Sequence, residues 1–147
     1  MTKPHVKIDA VKPESWNDRS LIVYTNPNKT TGMALEANIA ISRDQMHDSE
    51  TFKDFTKRQL KVMGEEIPQF DVISEREGKL HAKPAFDMFC SWMTPGGRVE
   101  QRVVFISIGK GEITTVAATA QQGDFENHKQ KFNEILASLT FTEAPGS

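Results

Sequence analysis

Residues 84–120 read PAFDMFCSWMT, PGG, RVEQRVVFISI, GKG, EITTVAATA. Three runs rich in β-branched and aromatic residues are separated by Pro95-Gly96-Gly97 and Gly109-Lys110-Gly111. Glycine reaches the left-handed backbone region at no steric cost, so both separators are strong hairpin signals. Pro84 to Thr94, Arg98 to Ile108 and Glu112 to Ala120 therefore read as three consecutive strands, and tight hairpins imply antiparallel pairing.

Working outward, Gln69 to Arg76 reads as a strand. Ahead of it, Asp48 or Ser49 can cap a helix that runs to about Glu66, with Gly64 and Pro68 marking its end. Leu35 to Arg43, Ser20 to Thr25 and His5 to Ala10 read as strands further upstream, and the turn-rich Lys12 to Asp18 segment holds Trp16. Downstream, a helix starts near Asp124. Phe125, His128, Phe132, Ile135, Leu136 and Leu139 form a single stripe, so one face of this helix packs on a sheet. The sequence predicts an α+β fold with a mostly antiparallel, curved sheet of six to seven strands and two principal helices covering one face or the ends.

The chain has 147 residues, the size of one domain. Residues 1–143 are expected to form it, with 144–147 a disordered tail or expression scar. Lys and Arg total 18 against 20 Asp and Glu, a net charge of −2 that argues against nucleic acid or an anionic membrane as partner. A lone cysteine, Cys90, excludes an internal disulfide and reads as a small buried hydrophobe within a strand. The first residues lack the apolar core of a signal peptide, and no run approaches the ~20 apolar residues that span a bilayer. A soluble, cytoplasmic protein without membrane insertion is expected.

No chemistry is recognisable. His5, His47, His81 and His128 have no partners at metal-ligand spacing, and His128 on its apolar stripe reads as a hydrogen-bonded core histidine. A nucleophile elbow, a P-loop and a dinucleotide-binding glycine motif are all missing. Neither an enzyme nor a cofactor or metal is expected, and Trp16 and Trp92 read as packing residues.

Binding is the better prospect. In the first helix Phe52, Phe55, Leu60, Val62, Met63 and Ile67 form a broad apolar arc with Gln59 near its middle. A buried amide without partners costs about 1–3 kcal/mol. Gln59 therefore bonds a neighbouring strand's backbone or meets a ligand. Leu21 and Val23 share one strand face, and Ile22 and Tyr24 the other. The Asn38-Ala40 face is small and mixed. Val99, Gln101, Val103 and Phe105 oppose Val104, Ile106 and Ile108. A sheet apolar on both faces implies a groove or subunit interface, unless loops and helices cover both.

Glu36-Ala-Asn-Ile-Ala-Ile-Ser-Arg-Asp44, Phe52, Phe55, Arg58-Gln59-Leu60, Pro13-x-x-Trp16-x-Asp18-x-Ser20, Pro68-x-Phe70, Trp92, Arg102-Val-Val-Phe105 and Ile113-Thr-Thr115 occur in an order that resembles the Eag family, the effector-associated chaperones of bacterial type VI secretion. The resemblance covers nearly the whole chain. It implies a PsbP-like α/β sandwich acting as a cytoplasmic homodimer without cofactors. The implied partner is the pair of N-terminal hydrophobic segments of a PAAR-containing effector, shielded before loading on the secretion spike. Carried over by position, the groove comprises Leu21, Val23, Asn38, Ala40, Gln59, Met63, Ile67, Val99 and Val103. Gln101 is added from its strand face, because the family's glutamine on this strand falls at Val103 here. The competing readings are an apolar small-ligand or lipid-binding protein, an enzyme with dispersed groups, and an adaptor for folded surfaces.

Overall fold

The computed structural model describes residues 21–26 and 36–141. There the chain forms, in order, β1 (Leu21–Asn26), β2 (Ala37–Gln45), α1 (Phe52–Glu66), β3 (Asp71–Leu80), β4 (Lys83–Thr94), β5 (Gly97–Gly109), β6 (Glu112–Gln121) and α2 (Phe125–Ser138). The six strands make one sheet in the order β1-β2-β6-β5-β4-β3, and every pairing is antiparallel. The expected strand at His5 to Ala10, the Trp16 segment and the 144–147 tail lie outside the described residues.

Two-residue turns build the β3–β6 meander. Thr94 pairs with Gly97 and Gly109 with Glu112. At the second turn Lys110 and Gly111 take φ of 56° and 75°, the left-handed pair that matches strand twist. The β3–β4 turn uses the same geometry at His81 and Ala82, with φ of 51° and 64°. Neither residue is a turn marker, so the strand expected to stop at Arg76 in fact continues to Leu80.

Thr51 caps α1: its hydroxyl accepts from the Asp54 amide at 3.1 Å. This corrects the expected cap at Asp48 or Ser49, because Ser49 sits at φ 65° in the preceding turn. The helix ends as expected at Glu66, just before Pro68.

The sheet order determines where α1 lies. β2 ends beside the start of β6, whereas β3 begins at the opposite edge and the opposite end of the sheet. The connection must cross a whole face, and α1 makes that crossing. The Met46 amide donates to the Gly111 carbonyl at 2.8 Å before it, and the Met93 amide to the Pro68 carbonyl at 3.2 Å after it.

The helices occupy opposite faces, which corrects the expectation that they share one face or the ends. Phe55 of α1 is fully enclosed among Phe86, Met88, Cys90, Val103, Phe105 and Ile113. Its ring meets Phe105 edge-on at 5.5 Å. Complete burial of such a side chain contributes about 1.5–3 kcal/mol. On the other face Phe125, Phe132 and Leu136 of α2 pack on Ile39, Val104, Ile106, Val116 and Ala118. Alternate residues of β5 and β6 thus enter different cores, which explains why both sheet faces are apolar.

Candidate functional site

Antiparallel register lines up side chains from neighbouring strands on the α1 face. One row runs Val23, Ala40, Ala117, Val103, Met88 from β1 across to β4. The next runs Thr25, Asn38, Thr119, Gln101, Cys90. A third begins at the backbone of Leu21 and continues through Ser42, Thr115, Phe105 and Phe86.

Burial changes along these rows. Met88 and Val103, under α1, are 0% and 3% exposed. Ala117 and Ala40 are half-buried, and Val23 is 50% exposed. The helix therefore covers the β4–β5 side, while the floor over β6, β2 and β1 grows more accessible. That floor is narrow-sided: Ala40, Ala117, Ser42, Thr115 and Thr119 are all small. The three rows carry no charged side chain over β1, β2 and β6; Asp44, one row further along β2 opposite Ile113, marks a charged end to the floor. Hydrogen-bonding groups recur on the rows. Gln101 Nε2 donates to the Thr119 hydroxyl at 2.9 Å. The Thr115 hydroxyl is enclosed without a hydrogen-bond partner.

The wall beside this floor is α1. Gln59 is four residues from both Phe55 and Met63, so it belongs to the stripe that faces the sheet. It is half-buried rather than enclosed, and it makes no hydrogen bond to another described residue. Met63 is half-buried against the same core, and Ile67 is half-buried at the helix C-terminal cap. A bidentate ion pair fixes the start of the helix. Arg58 Nε and Nη2 donate to Glu50 at 2.8 and 2.9 Å, and the His47 amide also donates to Glu50 at 3.0 Å. The Arg58 bond holds the Glu50 carboxyl down at about 2. The Arg58 guanidinium also stacks 5.2 Å from the Phe55 ring centroid.

The sequence-derived residues thus converge on one sheet face, but not in one role. Val23, Asn38, Ala40 and Gln101 line accessible floor; Gln59, Met63 and Ile67 belong to the wall. Val99 and Val103, at 4% and 3% exposed, are support beneath the surface. For Leu21, only its backbone pairing with Ser42 is described. Sequence reasoning missed Ala117 and Thr119. Their signal was available in the alternation of Ile113-Thr-Thr-Val-Ala-Ala-Thr119, once the Lys110-Gly111 turn sets its register against β5.

The remaining candidates are structural. Cys90 is fully buried, and burial pushes its thiol up to about 12, too high for a thiolate nucleophile. His128 is a buried core histidine, as its stripe implied, with Nε2 donating to Asp124 at 3.0 Å. Among the described residues no cluster of His, Cys, Asp and Glu is placed to hold a metal, and no helix is long and apolar enough to cross a membrane.

Several solved structures share this architecture. The Pseudomonas aeruginosa protein PA94, a candidate regulator of unknown function, superposes with a TM-score of 0.79 at 23% identity over 90% of each chain. Cyanobacterial PsbP from Synechocystis sp. PCC 6803 gives 0.57 at 10% identity, covering 83% of this chain and 82% of its own. LpqN of Mycobacterium tuberculosis, involved in cell envelope biogenesis, gives 0.52 at 15% identity with the same coverage. At these identities the likeness establishes a PsbP-like fold. No curated protein sequence matches the chain. The DcrB family model matches residues 11–138, which span every described strand and helix, and the chain belongs to the DcrB family.

Proposed function

We propose that this protein is a binding protein rather than an enzyme. In this reading it is a cytoplasmic chaperone that shields the N-terminal transmembrane helices of a PAAR-containing type VI secretion effector before export. It acts as a homodimer without cofactors. The observation that carries the reading is the partly open stretch of floor on β1, β2 and β6 beside α1, where the uncharged side chains Val23, Asn38, Ala40, Ala117 and Gln101 meet.

A transmembrane helix in water must exchange lipid for another apolar surface. Small residues on that surface let a helix backbone approach closely, and a few polar groups bond its Ser, Thr or Asn side chains. Rows of Ala and Ser or Thr flanked by Gln101 and Asn38 supply both properties. Val23, Met63 and Ile67 then exclude water, while Gln59 and Gln101 offer hydrogen bonds. A charged floor would repel the same helix through desolvation.

Affinity capture of the tagged protein from its host, with mass spectrometry of what co-purifies, tests the reading. A single large protein with paired N-terminal hydrophobic segments is expected, and deleting those segments should abolish capture. Capture that survives their deletion overturns the reading.

A further inference from the structure

The face that carries α2 has an opening of its own. A cleft of about 650 Å³ lies between α2 and strands β3–β5. That volume falls within the range of about 300–1,000 Å³ typical of small-molecule sites. Its apolar side is aromatic: Phe89 meets Phe125 at 4.9 Å between ring centroids, and Phe125 meets Phe132 at 5.2 Å.

Its polar side is organised around Arg102. The guanidinium donates from Nε and Nη2 to the two oxygens of Asp87 at 3.0 and 2.6 Å, and from Nη1 to Asn133 of α2 at 2.6 Å. These three bonds tie β4, β5 and α2 into a preformed wall. Arg76 of β3 stands opposite Asp87 in register, so its side chain leaves the sheet on this same face. Among the described residues Arg76 has no carboxylate partner, since Asp87 is engaged by Arg102. Lys129 has a loose, exposed contact of 3.8 Å with Glu126. Glu75 also borders the cleft, but its register partner Met88 lies in the α1-side core, so strand alternation sends its side chain to the other face. The cleft therefore holds three cations, Arg76, Arg102 and Lys129, against two carboxylates, Asp87 and Glu126.

We propose that this cleft binds a small amphipathic organic anion, an aryl or alkyl carboxylate. Its head lies between Arg76 and Lys129, and its apolar body lies against Phe89 and Phe125. A surplus cation at one end and edge-on and tilted rings at the other match such a molecule. The site is on the sheet face opposite the groove, so it stands or falls independently of the chaperone reading.

Titrating the full chain with phenylbutyrate, followed by amide NMR shifts and calorimetry, tests this, with neutral phenylbutanol as the control ligand. The expected result is saturable shifts at Ser74, Phe89 and Asn133. Binding should be about tenfold weaker for phenylbutanol and for the Arg76→Gln variant, the loss expected when a charged hydrogen bond is removed. Lys129→Gln, at an exposed helix position, gives a second reading of the same loss. Equal affinity for acid and alcohol, unchanged affinity in both variants, or no saturable shift in the cleft at millimolar ligand would overturn the proposal.

Discussion

Gln101 reaches across the β5–β6 pair to Thr119, its Nε2 donating to the hydroxyl at 2.9 Å. This bond uses one amide donor of Gln101. Thr119 is only 9% exposed, so its hydroxyl depends on that partner. Replacing Gln101→Leu should cost about 1 kcal/mol. A drop in melting temperature of about 2–4 °C is expected for a domain of this size. Under the proposed chaperone reading, the same variant should also weaken partner binding, because Gln101 is one of the two hydrogen-bonding residues assigned to the helix. Thermal unfolding and calorimetry on one preparation separate the two effects.

The meander was legible because its turns are chemically marked. Pro95-Gly96-Gly97 and Gly109-Lys110-Gly111 sit where the chain reverses, and alternation then assigns Gln101 and Val103 to one face and Val104 to the other. The His81-Ala82 reversal carried no such mark, so β3 was read short. The placement of α1 and α2 on opposite faces was not legible either. It depends on β6 returning to pair with β2, a contact between segments far apart in sequence. Alternation assigns the candidate residues to one sheet face but does not give their depth. Val99 and Val103 share the face of Gln101 but lie buried, because burial is set by where α1 crosses the sheet.

The open floor makes a distinctive demand on Ala117, which stands between Ala40 and Val103 in the row. Overpacking a closed core costs about 1–3 kcal/mol. Ala117→Phe should cost less than about 1 kcal/mol, since the new ring projects into an accessible groove, yet it should weaken helix binding by at least about tenfold. Chemical denaturation and a binding titration check the pair of outcomes. A large loss of stability would mean the floor is already closed.

Acid should loosen the entry to α1. Arg58 holds Glu50 at about 2, below its ordinary value of 4.5. A depressed carboxylate stabilises the fold fully above its unfolded value, and that contribution is lost as pH falls through its folded value. Wild type should therefore be more stable than Glu50→Gln at neutral pH, and the gap should close between pH of about 4.5 and about 2. Melting curves across that interval test it, and a gap that does not change with pH would show that the ion pair contributes nothing.

Val23 offers the most direct test of the groove. It is 50% exposed, so Val23→Glu should change stability by no more than about 0.5 kcal/mol. A carboxylate at that position would have to be desolvated beneath a bound apolar helix, which costs several kcal/mol. The measurement is the steady-state level of the hydrophobic-segment partner in cells that express either wild type or Val23→Glu, with circular dichroism of the purified variant to establish its fold. Loss of the partner with a folded variant is the expected result. Normal partner levels with the folded Val23→Glu protein would contradict the assignment of this face as the binding groove.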